Sequence, residues 1–185
     1  MSNNVENTSE TRREDWETPQ WLFDYLNFGF DFKIDLAANE ENNKCDLFIS
    51  EEQNTLKMTP EKIYCDFGVN VYKEFCWCNP PYGRQINSAW VKKLMEFPNI
   101  VVLHQASVGA KWFQPIWDNA DLVVFPPYRL RFSGAPCKAQ FDSCLIIRSN
   151  QPLYSMASFL LSIGNVVSEH DGIWCWDRTR LDKEK

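Results

Sequence analysis

The chain has no apolar run near the ~20 residues that a membrane-spanning helix needs. Its start, MSNNVENTSETRREDWE, has no apolar centre of the kind a secretory signal carries. A cytoplasmic protein without a membrane partner is expected. Histidine is scarce, with only His104 and His170. The seven cysteines are odd in number and form no C-x-x-C, so neither a disulfide framework nor a zinc site is expected. Cys76 and Cys78 stand two apart in a strand-like run and share a face, which reads as buried thiols rather than metal ligands. Excess positive charge is also lacking: the net charge is -6, which counts against a nucleic-acid partner. Phosphate contacts depend on local cations, however, and many carboxylates sit at the two ends, at Glu6, Glu10, Glu14, Asp15, Asp182 and Glu184.

The 185 residues suit one domain with a substantial core, and eight tryptophans offer flat surfaces for stacking as well as packing. Residues 1–14 are polar and aperiodic and are expected to be disordered, with a single domain over 15–185. In WETPQWLFDYL, Thr18 can cap a helix that starts at Pro19 and turns Trp21, Leu22, Tyr25 and Leu26 to one face. FKIDLA (32–37) reads as a short buried strand, whereas 38–72 shows few periods beyond a turn at Asn42 and Asn43. KEFCWC (73–78), IVVLH (100–104) and DLVVF (121–125) are further strands. Helical spacing follows in INSAWVKKLMEF, and AKWFQPIW reads as a short helix disturbed by Pro115. RLRF and SCLIIR look like two more strands paired together, then PLYSMASFLLSIG a helix and IWCW a tail strand. The alternation predicts an α/β fold: a mixed, mostly parallel sheet with helices on both faces. Ligands in such sheets gather at the carboxyl ends of strands, where DLAAN and NPPY both fall.

CWCNPPYG is the stretch with chemistry in it. An exocyclic amino group of a nucleobase is a poor nucleophile, because its lone pair is delocalised into the ring. Two acceptors on its two N–H bonds draw the nitrogen toward tetrahedral geometry and free the lone pair. The Asn79 side-chain oxygen and the Pro80 carbonyl can be those acceptors. Pro81 fixes its own φ and holds Pro80 extended, and Tyr82 offers a ring to a base taken out of a duplex. The tetrapeptide is also compatible with a plain tight turn. VVFPPYRL is an internal control: Phe125 stands where the first stretch has Asn79, and it has no acceptor to offer.

Over about 16–148, through WETPQWLFDYL, FKIDLAANEENNKC, WCNPPYG, the KWF of GAKWFQPIW and RLRFSGAP, the chain resembles the phage-type DNA N-6-adenine methyltransferases. The resemblance implies a Rossmann-like class I methyltransferase with S-adenosylmethionine as methyl donor and adenine in double-stranded DNA as acceptor. It would work in the host cytoplasm if phage-encoded, as monomer or homodimer. It carries Thr18, Pro19, Asp35, Ala37, Ala38 and Asn39 into the cofactor pocket and Asn79, Pro80, Pro81 and Tyr82 into the catalytic loop. Asp35 would accept from the donor's ammonium or order its own loop, or be a plain turn carboxylate. The glycine-rich loop common among methyltransferases is absent, with LAANEEN in its place. Arg84, Lys111, Arg129 and Arg131 are candidate DNA contacts, although any one of them is equally compatible with a solvated surface charge. Cytosine, RNA or protein glutamine as acceptor, and a non-catalytic DNA-binding relic of the fold, are the competing readings.

Overall fold

A computed structural model of the protein describes residues 17–83, 85–170 and 173–175. Among these residues, eight strands form one sheet in the order β2-β1-β3-β4-β6-β5-β7-β8. They are β1 (Ile34–Asp35), β2 (Leu47–Phe48), β3 (Cys76–Cys78), β4 (Ile100–Gln105), β5 (Leu122–Phe125), β6 (Ser143–Arg148), β7 (Asn165–His170) and β8 (Ile173–Cys175). The helices are α1 (Gln20–Phe30), α2 (Pro60–Phe67), α3 (Asn87–Leu94), α4 (Gln114–Asn119) and α5 (Tyr154–Leu161).

The expected α/β class and mixed sheet hold, but the sheet is not mostly parallel in its pairings. β1–β2, β1–β3 and β3–β4 pair parallel, whereas β4–β6, β5–β6, β5–β7 and β7–β8 pair antiparallel. The cause is β6, which runs back between β4 and β5 and takes a register along the whole of β4, from Ile100↔Arg148 to Gln105↔Ser143. Because β4 and β5 are both antiparallel to β6, they share the direction of β1, β2 and β3. The loops after β1, β3, β4 and β5 therefore all leave from one edge of the sheet.

Alternation along the strands separates two cores. Trp77, Val101, Leu103, Val124, Leu145 and Ile147 face one side, where Leu22, Phe23, Leu26 and Phe30 of α1 and Leu160 of α5 pack on them. Cys76, Cys78, Ile100, Val102, Val123 and Ile146 face the other, under Ile63 of α2, Val91 and Leu94 of α3 and Ile116 of α4. Helices thus cover both faces, and Cys76 and Cys78 share one as expected. Both thiols are fully buried, and burial pushes them up from their ordinary pKa. Strands as short as β1 persist because each fully buried Ile, Leu or Phe side chain contributes ~1.5–3 kcal/mol.

Several local expectations shift. Helix α1 begins at Gln20 with Pro19 in the cap position and no side-chain cap, so Thr18 does not cap it. Residues 38–72 hold more structure than their periodicity showed: β2, a 3₁₀ turn at Thr55–Lys57, and α2. Helix α2 carries its own signals, with Thr59 Oγ1 accepting from Lys62 N, Pro60 in the first turn, and Gly68 ending it at φ 74°. Pro115 does not disturb a helix; it sits in the first turn of α4, where its missing N–H is not needed. RLRF is not a strand paired with SCLIIR, since β6 is taken on both sides by β4 and β5. In the segment Leu130 and Phe132 are buried and Arg129 and Arg131 exposed. The tail strand falls at β8, and β7 before it was not anticipated. The expected disorder of residues 1–14 concerns a part of the chain outside the described residues. Among the described residues, no helix is long and apolar enough to cross a membrane.

Candidate active site

A cavity of about 560 Å³ opens at the sheet edge where β1 and β3 end side by side. That is within the ~300–1,000 Å³ usual for small-molecule and cofactor sites. Asp35 is in register with Trp77, so Leu36–Asn39 and Asn79–Tyr82 leave the sheet as neighbours. The cavity is lined on one side by Thr18, Asp35, Ala37, Ala38 and Asn39, and on the other by Asn79, Pro80, Pro81 and Tyr82. The structure thus brings together residues separated by some forty positions in the chain. Pro19 is not among the lining residues; it is buried beneath the start of α1.

Asp35 is 3 % exposed. Its Oδ1 accepts from Ala37 N at 3.1 Å and its Oδ2 from Lys44 N at 3.2 Å, so the carboxylate clips both ends of its own loop. Burial raises its pKa to about 6, against the pull of those two N–H groups and the Lys44 charge. Asn39 is an Asx-turn residue: its Oδ1 accepts from Glu41 N at 2.9 Å and Asn42 N at 3.0 Å. The turn lies at 40–42 rather than centred on Asn42 and Asn43. Without a glycine-rich loop, these two side chains organise the backbone around the cavity.

At the other side, Tyr82 Oη stands 2.6 Å from Asn79 Oδ1 and 3.2 Å from the Leu103 carbonyl, and can donate its single hydrogen to one or the other. The ring is 8 % exposed, set edge-on to Phe141 at 5.5 Å and Phe132 at 6.2 Å. Tyr82 is therefore not the open flat surface expected of it; most of its area is spent on the core, and burial raises its pKa. Asn87, at the start of α3, accepts from Gly83 N at 2.9 Å and fixes the far end of the NPPYG loop. FPPY leaves β5 at the same sheet edge but does not line the cavity.

None of the described DNA-contact candidates lines the cavity. Lys111 follows β4 on a 3₁₀ turn and is exposed, as is Arg131. Arg129 donates from Nε to Asp142 Oδ1 at 3.0 Å, an exposed ion pair. Arg84 lies outside the described residues. Phe132 follows both arginines, and Ser133 pairs with Glu17 of the cavity wall through two backbone hydrogen bonds.

Sequence reasoning passed over other lining residues. Lys44 Nζ donates to Gln20 Oε1 at 3.1 Å and faces Glu17, closing the wall beside Asp35. Thr55 Oγ1 donates to the Leu36 carbonyl. Leu56, Ile86 and Trp90 add an apolar part to the lining, and Glu51 adds a carboxylate just past β2. Only the TPEK cap signal before α2 was available to hint that 38–72 is ordered; nothing local marks Lys44 or Trp90. Among the described residues no cluster of His, Cys, Asp or Glu could hold a metal ion.

Asp35, Glu17 and Glu51 suit a cationic ligand, and Leu56, Ile86 and Trp90 suit a flat apolar ring. The indole Nε1 of Trp77, in the cavity wall, is a buried donor without a hydrogen-bond partner among the described residues. A sulfonium-bearing nucleoside meets this donor set.

The chain is 31% identical to a DNA N-6-adenine-methyltransferase of Haemophilus phage HP1 (strain HP1c1) over 124 residues, covering 64% of this chain and 65% of that protein. It is 34% identical over 124 residues to a protein of the same name from Escherichia phage T1, covering 64% of this chain and 47% of the relative. The match thus spans less than two thirds of either relative. The model of the family described as DNA N-6-adenine-methyltransferase (Dam) matches residues 5–150, and the chain belongs to that family.

Proposed function

We propose that the chain is a class I methyltransferase, with 15–185 as its domain, that transfers a methyl group from S-adenosylmethionine to the 6-amino group of adenine in DNA. One observation carries the reading: Asn79–Tyr82 and Asp35–Asn39 leave adjacent parallel strands and line a single cavity. The shared direction of β1–β5 and the reversal of β6 between β4 and β5 support the Rossmann-like class I assignment. The names of the two phage relatives and the family point to adenine in DNA, and to work in the host cytoplasm.

In this reading Thr18, Asp35, Ala37, Ala38 and Asn39 wall the donor side, with Pro19 holding Thr18 from below. When bound, S-adenosylmethionine supplies an electrophilic methyl on a sulfonium. Asn79 Oδ1 and the Pro80 carbonyl accept the two N–H bonds of the incoming amine and localise its lone pair. Pro81 keeps the Pro80 carbonyl aimed, and Tyr82 faces the base. The nitrogen becomes cationic as its new bond forms and then sheds a proton, so no strong base is needed. Lys111, Arg129 and Arg131, at the same sheet edge, contact DNA phosphates, as Arg84 is also proposed to do.

Incubation with labelled donor and separate DNA, RNA and protein pools tests the reading, followed by mapping of the modified base. Label in DNA as 6-methyladenine is expected, with Asn79→Ala slower by ~100-fold or more at unchanged fold. Label confined to protein, RNA or cytosine, or full turnover in Asn79→Ala, would refute it.

A further inference from the structure

His104 takes no part in the chemistry above, yet it is fully buried at the end of β4 in direct contact with Tyr82. Its ring centroid lies 5.1 Å from that of Tyr82 at 54°, and 4.9 Å from that of Trp112 at 46°. Its nitrogens do little. Nδ1 lies 3.3 Å from the carbonyl of the next residue, Gln105, and so carries the hydrogen; Nε2 has no partner among the described residues. An orphaned polar atom in a core costs ~1–3 kcal/mol, so hydrogen bonding does not explain the residue. Its ring does: it continues the aromatic contact from Trp112, on the 3₁₀ turn after β4, to Tyr82 in the cavity wall. Burial holds the imidazole pKa down to about 4, so near neutral pH it packs as an uncharged ring.

We propose that His104 is a positioning residue for the methyl transfer, its ring lodged between Trp112 and Tyr82 so that the plane of Tyr82 is set before a base arrives. The proposal rests on the reading of Tyr82 as the residue that faces the acceptor base. Phe132 and Phe141 meet Tyr82 edge-on and limit its tilt from another side. His104 supplies the remaining constraint and does not itself line the cavity. A ring of similar size without nitrogens should serve equally well. A small side chain should not, because Tyr82 could then relax into the vacated space and carry Asn79 with it through their hydrogen bond.

The test compares His104→Ala and His104→Phe in the full chain. It reads kcat on unmethylated plasmid DNA, the Kd for S-adenosylhomocysteine by calorimetry, and thermal melting. For His104→Ala a fall in kcat of ~10-fold or more is expected with Kd within about twofold, since a displaced reacting group is costly while the donor side is untouched. His104→Phe should recover kcat to within about threefold of wild type. Wild-type kcat in His104→Ala would overturn the proposal. So would a His104→Phe protein that melts like wild type yet is as slow as His104→Ala, because the nitrogens would then be what matters. If His104→Ala does not fold, Trp112→Leu replaces it, with a several-fold loss of kcat expected and no loss overturning the idea. Wild-type protein that methylates no DNA adenine would remove both this proposal and the functional reading; wild-type activity with insensitive variants removes only this one.

Discussion

Replacing Asp35 with Asn should change how stability depends on pH, and the size of the change follows from the geometry. Asp35 is 3 % exposed, and burial lifts its pKa from 3.8 to about 6 despite two backbone N–H donors. Between these values the folded protein holds a proton that the unfolded chain has released. Stability therefore falls as pH rises through the interval and is unaffected by this group below it. Each pH unit of such a difference amounts to about 1.4 kcal/mol, so the whole interval amounts to ~3 kcal/mol. The Asn variant keeps one acceptor for Ala37 N and turns an amide N–H₂ toward Lys44 N, a penalty that does not change with pH. Other carboxylates titrate in both proteins and cancel in the comparison. Urea unfolding at several pH values from 4 to 8 should show wild type losing ~3 kcal/mol relative to Asp35→Asn, mostly between pH 4 and 6.5. A bound cation would favour the carboxylate, so donor affinity should rise over the same range in wild type and stay flat in the variant. Stability curves that run parallel across the range would refute the premise that burial dominates the environment of Asp35.

Tyr82→Phe keeps the ring contacts and removes the hydroxyl at 2.6 Å from Asn79 Oδ1, for a loss of ~1 kcal/mol, or ~2–4 °C in melting temperature. Released from that bond, Asn79 should work several-fold more slowly; unchanged melting and kcat would show that the bond is idle. At Gly164 an added Cβ would lie 2.3 Å from the Phe125 carbonyl oxygen and 2.6 Å from its carbon. Gly164→Ala should therefore cost ~2 kcal/mol or more in chemical denaturation, because backbone must move; a neutral result would mean that the end of β5 yields freely. Arg131→Ala should flatten the slope of log affinity for DNA against log salt by about 1, and Arg129→Ala by less, because Arg129 already holds Asp142. Equal slopes in Arg131→Ala and wild type would move the DNA surface elsewhere.

The tetrapeptide proposed as catalytic stands out in the chain because its chemistry is local: an amide acceptor and two prolines need only one another, and Phe125 in the twin stretch lacks the acceptor. Most strands and the burial of Cys76 and Cys78 were legible for a similar reason, since alternation and apolar runs record which side of a sheet a residue faces. Long-range partners leave no such mark. The return of β6 between β4 and β5, which makes the pairings mostly antiparallel, depends on which edge is free when the chain comes back. The same holds for RLRF, whose alternation survives as two buried and two exposed side chains even though no strand among the described residues pairs with it.

By itself the sequence carried the α/β class and the candidate acceptor loop, because each is written in short-range pattern, and its resemblance to the family carried the candidate cofactor-side residues from Asp35 to Asn39. Only the tertiary structure decided that Asp35 clips a loop from Ala37 to Lys44, that Tyr82 spends its ring on the core and its hydroxyl on Asn79, and that His104 stands behind it. The contacts of Tyr82 with Leu103, His104 and Phe141 join segments tens of residues apart. They exist because parallel neighbours β1, β3 and β4 deliver distant loops to one edge, a placement that no local pattern records.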